Sequence, residues 1–177
     1  MQIDFAGYSA DCLIAGRLNL TAHRLTDMLN AEPSLHPTDV TLESLADGRR
    51  IHVPTYTVHR DELYAVKVTG PRGSRALRIV TVPHRVQAQI GPYNVLGRLN
   101  AAPGTEPMKS IETRGVMLPL TDATIAYVIG GILEVRDATT VLVNRDLASW
   151  VHSKDEAGAD PLPHAAHREV SRLSASR

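Results

Sequence analysis

Apolar and polar positions alternate with a period of two along much of the chain, the pattern of half-buried strands. Val40 and Leu42 fall on one side with Thr41 and Glu43 on the other, and Ala123 and Ile125 oppose Thr124 in the same way. Residues 12–19 and 93–100 are apolar runs that end in Gly-Arg-Leu-Asn, read as strands whose glycine marks a bend or bulge. Two stretches switch to helical spacing. Thr21 is placed to cap a helix with Leu25, Met28 and Leu29 on one face. Thr105 is placed to cap a second, with Pro107 in the first turn, Met108 and Ile111 inward and Gly115 closing it. Asp47-Gly48 and Gly130-Gly131 are hairpin-turn dipeptides, each followed by β-rich sequence at 51–58 and 133–143. Tight turns at His59-Arg60-Asp61 and Asn144-Arg145-Asp146 then lead into last short strands at 63–68 and 147–151.

The two sets of elements are the same set twice. Gly16-Arg17-Leu18-Asn19 recurs 81 residues later as Gly97-Arg98-Leu99-Asn100. Leu35-His36-Pro37-Thr38-Asp39-Val40-Thr41 matches Leu118-Pro119-Leu120-Thr121-Asp122-Ala123-Thr124 at an offset of 83, and Val58-His59-Arg60-Asp61 matches Val143-Asn144-Arg145-Asp146 at 85. Collinear matches whose offset drifts at loops are the mark of a tandem duplication. The first copy is read over 1–68, a Gly/Pro-bearing connector over 69–76, the second copy over 77–152 and a flexible tail over 153–177.

A copy of this length with one short helix among short strands predicts a mainly β, α+β protein. The expected architecture is a tandem pair of small, strongly bent sheets or partly open barrels. The passage of a penultimate strand through a tight turn into a short closing strand, at Tyr56-Thr57-Val58-His59-Arg60-Asp61-Glu62-Leu63 and Val141-Leu142-Val143-Asn144-Arg145-Asp146-Leu147-Ala148, resembles Sm-like and SH3-like barrels. The helix departs from the Sm-like pattern, because it follows the Gly-bearing strand instead of preceding the barrel. The combination of Gly-bearing strand, helix, Thr-Asp and Val-x-Arg-Asp also resembles an uncharacterised bacterial domain family, a resemblance that implies no activity.

Composition narrows the function classes. The chain has 177 residues, 43% of them apolar, with 19 basic against 19 acidic side chains, so disordered and disulfide-scaffold classes are excluded for most of it. Balanced charge gives no global electrostatic case for nucleic acid or an anionic membrane, and seven aromatics leave little for base stacking. The balance conceals one asymmetry: Arg72, Arg75, Arg78 and Arg85 fall in a stretch, 69–92, that holds no acidic residue. Cys12 is the one cysteine, so no intrachain disulfide forms. The sequence at Met1 lacks a leader-like basic and apolar pattern and no apolar run is long enough for a membrane helix, so the expected location is the cytoplasm.

Candidate chemistry is sparse. The recurring acids, Asp39 with Asp61 and Asp122 with Asp146, could act as acid and base or hold a cation if they converged; turn chemistry accounts for them more simply. The recurring cations Arg17, Arg98, Arg60 and Arg145, with the connector's Arg72, Arg75, Arg78 and Arg85, are the candidate partner-binding residues. For the first four, pairing with the recurring acids is the competing account. Of eight histidines, His164 and His167 are three apart and His52 and His59 seven apart, spacings too poor to predict a metal site. Cys12 reads as a small apolar strand residue, and no phosphate-loop, dinucleotide or serine-hydrolase motif is present. No catalytic residue, cofactor or metal is expected. The favoured reading is a non-enzymatic binding or scaffold module that associates with a protein partner or with its own copies. The alternatives are Sm-like RNA or DNA binding through the connector and loop arginines, and a ligand or enzyme site in a cleft between the copies.

Overall fold

A computed structural model of the chain describes residues 1–71 and 79–152. It is mostly β, with two short helices and open sheets that do not close on themselves. The N-terminal half contains β1 (Gln2–Tyr8), β2 (Cys12–Asn19), α1 (Leu25–Ala31), β3 (Ser34–Leu35), β4 (Thr38–Ser44), β5 (Arg50–Thr55), β6 (Val58–His59), a 3-10 turn (Arg60–Glu62) and β7 (Ala65–Lys67). The C-terminal half contains β8 (Val82–Ile90), β9 (Tyr93–Ala101), α2 (Pro107–Glu112), β10 (Met117–Ile129), β11 (Ile132–Asn144) and β12 (Ser149–His152).

One ten-stranded antiparallel sheet carries both halves in the order β12-β8-β9-β10-β11-β7-β1-β2-β4-β5, and β3 pairs with β6 in a separate two-stranded piece. Matching segments make matching pairs. Phe5 lies opposite Gly16 as Val86 lies opposite Gly97, and Leu35 opposite Val58 as Leu118 opposite Val143. Where the C-terminal half runs β10 and β11 as unbroken 13-residue strands, the N-terminal half breaks each in two.

β7 joins the halves. It lies between β1 and β11, with Lys67, Val66 and Ala65 opposite Val141, Leu142 and Val143. The Asn144 amide donates to the Tyr64 carbonyl and the Val68 amide to the Thr140 carbonyl, extending the ladder at both ends. Side chains tie the same seam: the Asn144 amide group donates to the Leu63 carbonyl, and Asn30 of α1 bonds both the N–H and the C=O of Met117. Two apolar clusters fill the core, and both cross the seam. One gathers Tyr8, Leu13 and Ala65 with Val86, Tyr93, Leu120, Ile125 and Val143; the other adds Met117 and Leu142 to Phe5, Ile14, Leu29 and Val40.

Several sequence expectations are corrected. Each half begins with a strand, β1 or β8, where the apolar pattern predicts none. Neither threonine caps its helix. Arg24 holds the N-cap of α1, while the Thr21 hydroxyl donates to the Glu32 carboxylate at 2.7 Å. Glu106 holds the N-cap of α2, with Pro107 at the start where its missing N–H costs nothing. That helix ends at Thr113, not Gly115; Gly115 is instead where Asn30 packs, since a Cβ there would lie 2.5 Å from its Oδ1. Leu25, Met28, Leu29 and Ile111 are buried as the spacing predicts, and Met108 is half-buried.

Candidate functional site

The repeated motifs meet in pairs. Gly16 and Gly97 sit on the central strands of their halves, each beside the Thr-Asp of the next strand. Among the described residues, Asp39 and Asp122 are the non-glycine residues with left-handed backbone, at φ 54° and 47°, and the strand register breaks beside both. These are β-bulges, which disrupt the ladder and bend the strand locally. A Cβ at residue 16 would lie 2.9 Å from the Thr38 carbonyl oxygen, and one at 97 would lie 3.0 Å from the Leu120 Cβ. The glycine and the aspartate are therefore two halves of one structural device. The adjoining threonines repeat as well: Thr38 and Thr121 hydroxyls donate to the carbonyls of Arg17 and Arg98.

The charged side chains at this device are exposed and differently paired. Asp39 faces His52 at 3.3 Å, whereas Asp122 faces Arg98 at 3.5 Å. Arg17 is exposed and stands opposite Asp4 across the β1–β2 pair. Arg85 stands opposite Arg98 across β8–β9.

Arg60 and Arg145 serve the helices. From the turn after the penultimate strand, Arg145 Nη1 donates to the carbonyls of Ile111 and Glu112, at 3.1 and 2.7 Å, and to that of Arg114, at the C-terminal end of α2. Arg60 Nη1 reaches the Asn30 carbonyl in α1 at 3.3 Å. Their backbone amides bond Val116 and Pro33. A guanidinium there supplies donors to carbonyls at the end of the helix and complements the negative end of its dipole. Each also faces its neighbouring acid, Asp61 at 3.6 Å and Asp146 at 3.1 Å. The recurring acids thus hold four separate partnerships: Asp39 with His52, Asp61 with Arg60, Asp122 with Arg98 and Asp146 with Arg145.

Cys12 is half-buried, and Ser9 Oγ lies 3.2 Å from its sulfur. Burial pushes the thiol pKa up, the opposite of what a thiolate nucleophile needs. His59 Nδ1 bonds Ser34, and His36 Nδ1 bonds Thr57. Among the described residues no three His, Cys, Asp or Glu side chains are grouped to hold a metal, and no helix is long and apolar enough to cross a membrane. Arg72, Arg75, Arg78, His164 and His167 lie outside the described residues. Among the described residues, one shallow groove lies by Gln2, Asp4, Arg17 and Thr69 and another by Ile111, Arg145, Asp146 and Trp150.

What the motifs did not point to is the pattern of unpaired edges. Among the described residues, β12 ends the long sheet on one side and β5 on the other, and β6 pairs with β3 alone. Some of the exposed apolar side chains lie at these places, Leu147 and Val151 near β12 and Ile51 and Tyr56 along the β5–β6 edge, while Ile79, Val80 and Val82 are exposed just before and at the start of β8. A further group, Val128, Leu133 and Val135, lies on the β10–β11 hairpin, beyond the residues that β7 covers, and the tip of that hairpin meets the N-terminal half, where the Gly130 amide donates to the Leu45 carbonyl. Apolar side chains beside an open edge are a feature that edge strands normally avoid. Compared with models of known families, with characterised proteins and with solved structures, the chain gives no match, so its functional reading rests on this geometry.

Proposed function

We propose that the chain is a non-enzymatic association module of the cytoplasm, a tandem duplication of a small, strongly bent, SH3-like or Sm-like β unit that binds protein through strand edges. One observation carries this reading: the pairing of β7 with β11 already joins the two halves edge to edge, and among the described residues further edges stand open at both ends of the same sheet. Strand addition to an open edge supplies main-chain hydrogen bonds, and the apolar side chains beside it supply burial. The recurring Arg and Asp residues support the same reading, because Arg60, Arg145, Asp39 and Asp122 are engaged in turns, bulges and helix ends.

The test is the size of the particle in a gentle extract of cells that make the protein naturally. The expected result is an assembly larger than the 19.2 kDa chain that survives nuclease treatment. A 19.2 kDa monomer both in the extract and after purification overturns the proposal. An assembly that collapses to monomer with nuclease overturns it in favour of nucleic-acid binding, with Arg17, Arg98, Arg72, Arg75, Arg78 and Arg85 as the first residues to mutate.

A further inference from the structure

We propose that the partner at the open edges is a second copy of this chain, added head to tail, with β12 of one copy pairing with residues 56–59 of the next. This rests on the association reading above and specifies it. The geometry follows from the seam inside the chain. There the last strand of the N-terminal half, β7, pairs with the end of the penultimate strand of the C-terminal half, β11. The complementary pair, the last strand of the C-terminal half and the penultimate strand of the N-terminal half, is the pair left open among the described residues, at β12 and at β5–β6.

The correspondence holds residue by residue. β12 lies on β8 as β7 lies on β1, with Trp150 opposite Ala88 and Val66 opposite Gly7. On the receiving side, Thr55 pairs with Thr38 as Thr140 pairs with Thr121, and Val58 pairs with Leu35 as Val143 pairs with Leu118. Tyr56, Thr57 and Val58 therefore hold the places of Val141, Leu142 and Val143. Applying the internal register to a neighbouring copy sets Val151 against Tyr56, Trp150 against Thr57 and Ser149 against Val58. Two of the exposed apolar side chains, Val151 at 60% and Tyr56 at 36%, are thus brought face to face and covered.

The backbone is prepared for this contact. The Tyr56 and Arg60 amides point inward, to the carbonyls of Pro37 and Pro33. By strand alternation the groups of Thr57 and His59 point outward. At the seam the equivalent Asn144 amide bonds Tyr64, while the His59 amide has only a 3.4 Å contact with the Glu62 carboxylate. Neither Ser149–His152 nor residues 56–59 contain the Lys, Glu or Pro that commonly protect an edge from pairing. Because the two surfaces differ, each added copy presents a fresh β12 or a fresh receiving edge. Such a contact builds a closed ring or a filament, not a two-fold dimer.

The experiment uses the full-length chain in sedimentation velocity and native mass spectrometry, with two edge variants. Thr57→Pro removes an outward amide, and Val151→Lys places a charge on the other partner. The purified native chain is expected to assemble beyond two copies, with dissociation constants of about 1–100 μM. Each variant alone should weaken assembly by about tenfold or more, while circular dichroism shows the native strand content. Mixed together, the variants should form a one-to-one pair and stop there, since Thr57→Pro keeps an intact β12 and Val151→Lys keeps an intact receiving edge. That rescue also excludes misfolding as the cause of the loss. A native chain that stays monomeric when pure, or assembly unchanged in both variants, overturns the inference. A pure monomer that is nevertheless part of a larger particle in the cell extract overturns it while leaving the association reading in place.

Discussion

Asp39 and Asp122 stand at left-handed backbone, where an L side chain is held about 1 kcal/mol or more above its preferred conformations. Their recurrence follows from backbone shape, since Asp tolerates this region better than most residues and the bulge requires it. If the backbone is the reason, glycine should serve as well as aspartate. Asp39→Gly and Asp122→Gly are expected to leave stability within about 0.5 kcal/mol of the native chain or raise it, while Asp122→Val costs about 1–3 kcal/mol. Urea unfolding measures both. A glycine variant as unstable as the valine one would show that the carboxylate, not the conformation, is needed. The partner glycines give the converse expectation. Gly16→Ala would set a Cβ 2.9 Å from the Thr38 oxygen and should destabilise by about 1–3 kcal/mol. The sequence makes both motifs visible by repeating them. It does not show that they touch, because the contact joins separate strands across a register break.

The helices are held less by their own sequence than by an arginine that arrives from a later turn. Neither α1 nor α2 has a side-chain cap at its N-terminus, and both are too short to be stable alone. Arg145 compensates at α2 by bonding three carbonyls near its end, whereas Arg60 bonds one at α1. Arg145→Met, which keeps the stem and removes the donors, is therefore expected to cost about 2 kcal/mol, and Arg60→Met about half that. Hydrogen exchange should quicken in α2 for the first variant and in α1 for the second. Equal, negligible effects would show that neither arginine is needed by its helix and that both are free to bind a partner. Elements with strong alternation or a turn dipeptide, such as β2, β9 and the two hairpins, are legible from sequence. β1 and β8 escaped because their inward positions include Gly7 and Ala88, small residues that blur the alternation. The reason for a small residue lies elsewhere in the chain: a Cβ on Gly7 would be 2.9 Å from a Leu63 methyl. The open edges of β12 and β5–β6 were not legible for a related reason, since an edge is defined by which strands fail to pair.

Across the whole molecule, four tyrosines pack at the seam. Tyr8 and Tyr64 from the N-terminal half meet Tyr93 edge-on, with ring centres 5.4 and 6.2 Å apart, and Tyr127 packs against Tyr8 and Tyr93 at 5.8 and 5.7 Å. The Tyr93 hydroxyl donates to the Ser9 carbonyl at 2.7 Å, across the halves. Burial raises the pKa of Tyr8 and Tyr93 above the ordinary value, and pushes Tyr127 up to about 12 even though the Arg136 guanidinium pulls the other way. The folded chain thus holds phenol protons that the unfolded chain releases near pH 10. Stability from these groups is complete below about pH 10 and is lost as the pH climbs through 10 toward 12 and beyond. Because both core clusters cross the seam, neither half can release its tyrosines while the other stays folded. We expect one alkaline transition, in which phenolate absorbance from the buried tyrosines and loss of β-sheet circular dichroism coincide. Ionisation of Tyr8, Tyr93 and Tyr127 near pH 10 with the sheet intact would show that the seam is open to water. Two separate transitions would show instead that the halves unfold independently, each able to hold its strands without β7 pairing to β11.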